Sequence, residues 1–491
     1  MAQSEEHLRI LELLGVRRGV VALTMADCVD DAAVKDVTAG IRSAVTGTFL
    51  EPSRIVDVDS MSGRGIQRLQ EALGSLAAGP PATPPVVRPR LWIDRSFAIA
   101  GAGTVVTGTL TGGSLTVGDP VDIVTSQGSR RARVRQLESF GAGAEIVERG
   151  RAAANLGGVS HQDLRRGDVV VTPGRWHLTS TFDASLEVLQ AARRPVKGTG
   201  AHLVHLGTEE ATGRLLVLGQ RSIGPGELGL VRIRLPRLLP LVPGDRYVLR
   251  DAGSNTTVGG GEVLDVAPVR RPSKARPDRD VARVVSERGW VRADELERLT
   301  GVVPPRTIGG WVVDRVTEVA ARRDLHSKIS QAGAMGLDVS SLDERDRALV
   351  GSDDRLAVRH GRVFPHDAQD LIVHHPYLKA LETRPFQPPS PEETGATVAD
   401  ARELVRRGLA MREGDLYFSP RAVALAAQAA ADLMAVDPQG FTVAAFRVRL
   451  GTTRRFALAL LALLDADGVT RRRGDVRIGG PRLPSIGERS E

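Results

Sequence analysis

The spacing of apolar residues changes character along the chain, and each change predicts a different architecture. Over the first 77 residues, Leu8, Leu11 and Leu14 fall on one helical face. Ser4 stands where a cap is expected, with Glu5 and Glu6 in the first turn. "GVVALT" and "RIVDV" are apolar without interruption, as expected of parallel strands covered on both faces. Ile66, Leu69, Leu73 and Leu76 return to helical spacing. This helix–strand alternation matches the last part of a doubly wound α/β domain. After the proline-rich "AAGPPATPPVVRPR", a semi-rigid linker by composition, short alternating strands separated by glycine turns run to about residue 173. A second such block, from "TFDASLEVL" to "GGGEVLDVAP", runs to about 268, so two small β-barrels are predicted. Beyond the basic linker "VRRPSKARPDRD" the pattern becomes helical and loosely repeats as helix, turn, helix and glycine-turned ribbon. That is the outline of a winged helix, and about four fit in the tail.

The fold class expected is therefore multidomain: an α/β remnant, two β-barrels and an α-rich tandem winged-helix tail. The predicted boundaries are 1–78, 88–175 and 176–268, followed by winged helices at 277–335, 336–378, 379–432 and 433–480.

Composition narrows the setting. The chain has 491 residues, and its single cysteine, Cys28, excludes an internal disulfide framework and suits a reducing compartment. Aromatic residues are 3% of the chain, so the cores must rest on Leu, Val, Ala and Ile. No apolar run approaches the ~20 residues that span a bilayer, and "MAQSEEHLRI" lacks the basic start and apolar core of a signal peptide. The expected location is the cytoplasm. A net charge of +7, carried mostly by arginine, allows a polyanionic partner or reflects codon usage alone.

Candidate chemistry begins at "GVVALTMADCVD", a strand running into a turn that ends on aspartate. Some GTPases read guanine with such a turn, the carboxylate accepting from the base N–H groups. Thr24 and Asp27 fit, but Met25 occupies a position usually held by lysine. In "VDSMSGRG", Ser60 and Met61 are candidates to offer backbone N–H groups to a base, and Asp59 stands where a small hydroxyl is usual. Phosphate binding in this class needs G-x-x-x-x-G-K-[ST]. None of the five lysines (Lys35, Lys197, Lys274, Lys328, Lys379) follows a glycine, so no segment of the sequence fills that role. The glycines of "AGAGTVVTGT" lie between β-patterned runs and read as hairpin turns. His374 and His375 lack further ligands at metal spacing, and no metal site is expected. Cys28 reads as a packing residue rather than a nucleophile.

Three stretches carry a family resemblance. "EEHLRILELLGVRRGVVALTMADCVD", "LWIDRSFAIAGAGTVVTGTLTGGSLTVGD" and "GFTVAAFRVRLGTTRRFALALLALLDADGVTRRRGDVRI" are similar to the base-reading segment, the second-domain start and the terminal winged helix of the selenocysteine-specific translation elongation factors (SelB), relatives of elongation factor Tu. The resemblance implies a cytoplasmic, monomeric GTPase that uses GTP with Mg²⁺ and carries selenocysteyl-tRNA to the ribosome. In that family the tail grips an mRNA hairpin beside a UGA codon. By the family pattern, roughly 100 residues with the phosphate loop, switches and catalytic histidine are expected to be missing before Met1. Three explanations stand open: a start codon assigned too far downstream, a split or decayed gene, and a naturally shortened factor. Met25 and Asp59 weigh toward decay or divergence.

A selenolate is anionic near neutral pH, so a pocket preferring it over serine needs fixed positive charge. By the resemblance, Arg95 in "IDRSF" and Arg151 in "RGRAAANL" are the pocket candidates. In the terminal module Phe441, Val443, Phe446 and Leu450 are available for packing, and Thr452 or Thr453 is expected to cap the next helix. Arg454 and Arg455 then sit in its first turn, beside N–H groups that favour phosphate. The ribbon adds Arg471, Arg472, Arg473 and Arg477. Two basic elements suit a grip on a nucleic-acid backbone, and RNA enters only from the resemblance. A GTP-independent RNA-binding remnant and a DNA-binding regulator are the competing readings, of which the regulator leaves two tandem barrels unexplained.

Overall fold

The computed structural model describes residues 2–78, 88–101, 103–198, 200, 202–368 and 371–484. The chain divides into two compact units, Met1–Thr317 and Glu318–Glu491.

In the first unit, strands Val21–Leu23 and Ile55–Asp57 pair in parallel, joined by the crossover helix Asp31–Val45. Asp30 caps that helix by accepting from the Ala33 N–H at 2.8 Å. The leading strand is less covered than its apolar run predicts: Ala22 is exposed, with Val21 and Leu23 half-buried. A two-stranded pair flanked by three helices has too little material to cover both faces. Ser4 does not cap the first helix either. The helix spans Ala2–Leu13, which places Ser4 inside its first turn. This helix lies on the second barrel, where the Glu6 carboxylate accepts from the Thr257 hydroxyl at 2.7 Å. That hydrogen bond holds Glu6 below its ordinary pKa.

The first barrel is a seven-stranded sheet that returns on itself. Its order is Gly150–Gly157, Gly103–Thr111, Arg90–Ile99, Val169–Val171, Pro120–Thr125, Gly128–Ser139 and Ala142–Ala144, with Gly150–Gly157 also pairing to Gly128–Ser139. Leu91, Ile93, Val106, Leu110 and Ile123 fill its centre with essentially no exposure. The second barrel closes through six strands: Leu178–Val188, Leu228–Pro240, Glu209–Leu218, His202–Leu206, Arg246–Asp251 and Thr257–Asp265. Its alternation is regular, as in the buried/exposed sequence along Glu209–Leu218.

Arginines tie these barrels together. Arg237 is buried and reaches Glu209 at 2.9 Å and Asp168 at 3.0 Å, so one guanidinium spans both barrels. Arg90 of the first barrel forms a fork onto Asp245 of the second at 2.6 and 2.7 Å.

The first helical module continues the core of the second barrel rather than standing apart. Val284, Val285, Val291, Leu296 and Leu299 belong to the same buried cluster as Phe182, Ile233 and Tyr247. Arg283 bonds Asp265 at 3.0 Å across that seam, and Arg232 forks onto Asp183 beside it at 2.6 and 2.9 Å. Between helix Ala293–Thr300 and strand Trp311–Val313 there is no helix among the described residues, although a recognition helix stands there in a complete winged helix.

In the second unit, the complete order appears at the end: helix Pro420–Val436, strand Phe441–Thr442, helices Val443–Leu450 and Arg454–Ala466, then the ribbon Thr470–Arg473 and Val476–Gly479. Ala422, Ala426, Ala427 and Ala430 along the long helix pack into one core with Phe418, Phe446, Leu460 and Leu464. Two β-barrels followed by a winged helix are the fold class predicted from the sequence. No helix among the described residues is long and apolar enough to cross a membrane.

Candidate nucleic-acid interface

The terminal module positions its arginines through local packing. Thr442 caps the helix Val443–Leu450 by accepting from the Ala445 N–H. Phe446 and Leu450 are buried, and the Phe446 ring stacks on Phe441 at 5.6 Å between centroids. Gly451 then adopts the left-handed conformation, φ 61°, that ends the helix. Neither threonine caps the next helix through its side chain, against expectation. Thr453 has the extended backbone of a cap but makes no side-chain bond, and the Thr452 hydroxyl is drawn to the Phe386 carbonyl. The helix start therefore keeps N–H groups without a side-chain acceptor, a setting that favours an anion.

The six candidate arginines are not equivalent. Arg454 sits in that first turn, exposed and without a hydrogen bond or ion pair among the described residues. Arg455 beside it is engaged with Asp415. Arg471, Arg472 and Arg473 are consecutive and exposed on one ribbon strand. Arg472 bonds only the Gly474 carbonyl, at 3.2 Å, and Arg471 and Arg473 meet no acid among the described residues. Arg477 lies directly opposite Arg472 but is 8% exposed, with its Nε on Asp465 at 3.0 Å. Asp465 also accepts from the buried Thr470 hydroxyl at 2.6 Å. Arg477 is thus a brace between ribbon and helix, its charge already matched. Leu458, one turn along from Arg454, is exposed, and the sequence reading missed it. Its signal was an apolar residue on the arginine-bearing face of the helix.

On the first barrel, Arg95 is exposed and without an ion pair among the described residues, whereas Arg151 is bound to Asp94. Asp94 also accepts from the Thr107 hydroxyl at 2.6 Å. Partial burial opposes ionisation of Asp94, but the bonds from Arg151 and Thr107 outweigh it and hold the carboxyl below its ordinary value. Asp94 was missed because a β-bulge between Ile93 and Arg95 breaks the alternation that would place it.

The ends of the two parallel strands bring both candidate base-facing loops side by side, with Ala26 N–H on the Val58 carbonyl at 3.3 Å. Thr24, Asp27 and Ser60 are all exposed there, and Met25 holds a left-handed φ of 58°. The Asp59 carboxylate accepts from Ser62 N–H at 2.6 Å and Met61 N–H at 3.0 Å, so Met61 has no N–H to spare for a base. Hydrogen bonding from Ser62 holds Asp59 below its ordinary pKa. Cys28 is exposed rather than packed, and the neighbouring Asp27 charge pushes its thiol pKa up, away from nucleophilic use. His375 accepts from the Tyr377 N–H at 3.2 Å and caps a helix.

Comparison with known proteins completes the picture. Residues 183–270 match the family model "Selenocysteine-specific elongation factor, beta-barrel domain". Residues 432–478 match "Elongation factor SelB, winged helix". The selenocysteine-specific elongation factor of Desulfomicrobium baculatum is 32% identical over 360 residues, which is 72% of this chain and 55% of that protein. The chain thus spans little more than half of that relative's length. The factor of Escherichia coli (strain K12) is 27% identical over 546 aligned positions, covering 97% of this chain and 84% of its own. A crystal structure of a bacterial selenocysteine-specific elongation factor, EF-Sec, shares the fold with a TM-score of 0.65 at 22% identity, over 98% of this chain and 84% of that one. With both barrels and the complete terminal winged helix in place, the chain belongs to the selenocysteine-specific elongation factor (SelB) family.

Proposed function

We propose that this chain serves selenocysteine incorporation by holding selenocysteyl-tRNA on its barrels and an mRNA hairpin on its terminal winged helix. The observation that carries this reading is the match of two SelB-specific models to two separate modules, a barrel at 183–270 and the winged helix at 432–478. Of the two pocket candidates, Arg151 is neutralised by Asp94, and Arg95 has no ion pair among the described residues and offers its positive charge to a selenolate. In the terminal module, Arg454, Arg471, Arg472 and Arg473 supply charge for a backbone. A folded hairpin would be read by its shape and an unstacked base, with Leu458 as the apolar contact. The ribosome is the expected third partner, and the cytoplasm the setting.

The residues present fit a guanine nucleotide poorly. Asp27 is exposed and accepts from the Cys28 thiol through Oδ1, so its other oxygen can meet a base edge. Yet the 491 residues hold no G-x-x-x-x-G-K-[ST] segment, Met25 replaces the usual lysine, and Asp59 consumes the adjacent N–H groups. No step of this proposal passes through GTP. Those observations favour, as second reading, a GTP-independent RNA-binding role for these residues.

The test compares binding of selenocysteyl-tRNA and seryl-tRNA to the chain and to Arg95→Ala. A preference for selenocysteyl-tRNA that the substitution weakens supports the pocket, and unchanged selectivity removes it. Guanine-nucleotide affinity measured on the same preparation separates the two readings. Negligible affinity fits the second, and submicromolar affinity restores the GTP-dependent one.

A further inference from the structure

The strand Gly128–Ser139 of the first barrel carries a feature that the tRNA pocket and the terminal module do not use. Along it, Arg131, Arg133 and Arg135 are exposed while Val134 between them is buried. Alternate residues on a strand stand roughly 7 Å apart on one face, which sets Arg131 and Arg133 side by side. Arg135 is the extra residue of a β-bulge, between the pairs Leu156↔Val134 and Asn155↔Gln136. It lies over Gly157, where even a methyl group would overlap its Nε. The compensation is sparse. Arg131 meets Asp122 at 3.6 Å while remaining 85% exposed. Arg133 reaches only the Gly118 carbonyl at 2.9 Å. Arg135 has no hydrogen bond or ion pair among the described residues, and the neighbouring acid Asp163 is taken by Arg130.

We propose that this row is a second RNA-binding surface, taking the phosphate backbone of a duplex. Three neighbouring charges suit a phosphate chain, and Gly158, exposed beside them, adds no side chain in front of the row. An acidic protein would need apolar or aromatic anchors at the centre of its interface. The cross-strand neighbours here are Pro120, Asp122, Gly157 and Asn155 instead. The choice of RNA among polyanions rests on the functional reading above, whereas the surface itself rests on the arginine row.

The experiment uses the full chain and a loop-free RNA duplex of about 20 base pairs, long enough to span a protein-sized footprint. Binding is followed by fluorescence anisotropy between about 50 and 200 mM salt. Arg131→Gln/Arg133→Gln/Arg135→Gln should make the slope of log affinity against log salt shallower by about two to three, with thermal unfolding unchanged. Gly157→Ala keeps every charge but displaces Arg135, and should give about a third of that change. Gln substitution of Arg454, Arg471 and Arg473 should leave most of the duplex slope in place, which separates this surface from the hairpin grip. An unchanged slope in the triple variant overturns the proposal. A polyglutamate peptide that binds the row as tightly as the duplex overturns it as well. Failure of the chain to prefer selenocysteyl-tRNA would sink the functional reading and leave the duplex result standing.

Discussion

Arginine does two opposite jobs in this chain, and the contrast between the barrel junction and the terminal ribbon shows how to tell them apart. At the junction, Arg237 is buried between Glu209 and Asp168, and Arg90 forks onto Asp245. In the ribbon, Arg471 and Arg473 project from a strand with no acid in reach among the described residues. The first set has its charge matched inside the protein, and the second leaves it exposed. Net charge alone does not distinguish them; the location of the matching carboxylate does.

The contrast is steepest at Arg237. Arg237→Met leaves two buried carboxylates unmatched, and chemical denaturation should register a loss of about 3–5 kcal/mol in the first unit. If the loss is under about 1 kcal/mol, the junction is held by apolar packing and the contrast is overstated.

Arg477 sits on the border between the two classes. Arg477→Met should cost about 1–3 kcal/mol, because Asp465 loses a charged hydrogen bond. Hairpin affinity measured well below the melting temperature should keep its salt slope. A slope that falls with the substitution would move Arg477 into the binding set.

Acid separates the carboxylates by sign. Glu403 in the second unit is surrounded by Arg406, Arg407 and Arg362. Burial opposes its ionisation, yet the bonds from Arg406 and Arg407 prevail and hold it at about 2, below the ordinary 4.5. Its contribution is therefore complete above pH 4.5 and lost as pH falls toward 2. Glu209 is shifted the other way, burial raising it despite Arg237. The native state then holds that proton more tightly than the unfolded chain, so Glu209 favours folding more as pH drops through the window above 4.5. Stability measured from pH 6 to about 3 for Glu403→Gln and Glu209→Gln should change slope in opposite directions. Parallel changes would mean the two sites share one electrostatic environment.

The smallest effect belongs to the ribbon. Arg471→Gln/Arg473→Gln should leave stability within about 0.5 kcal/mol. The salt slope of hairpin binding should fall by about 0.7–0.9 for each phosphate that goes unneutralised. A measurable stability loss would show that the ribbon's charge is internal after all.

The barrels were legible because their period-two alternation survives in the finished sheets, as along Glu209–Leu218. The terminal winged helix was legible because Phe441, Phe446 and Leu450 recur at the spacing that its core requires. What the sequence concealed was pairing. Asp183 lies 49 residues from Arg232 and Asp168 lies 69 from Arg237, and Asp415 reaches Arg455 from an earlier ribbon. Local reading treats all such arginines alike. Backbone competition was concealed for the same reason: nothing near Thr452 announces that its hydroxyl will be taken by Phe386, and nothing near Ser60 announces that Asp59 will fold back on its own loop.

The alanine face of helix Pro420–Val436 carries a practical consequence. Met411, Leu416 and Phe418, in the hairpin preceding it, and Leu460, in the second helix after it, pack into one core with the same slender rod. A chimera that borrows its tail from a relative should be spliced ahead of Met411, so that the hairpin travels with its rod. A junction placed after Val436 would mate a native rod with a foreign socket, and methyl-sized gaps would decide whether it seats.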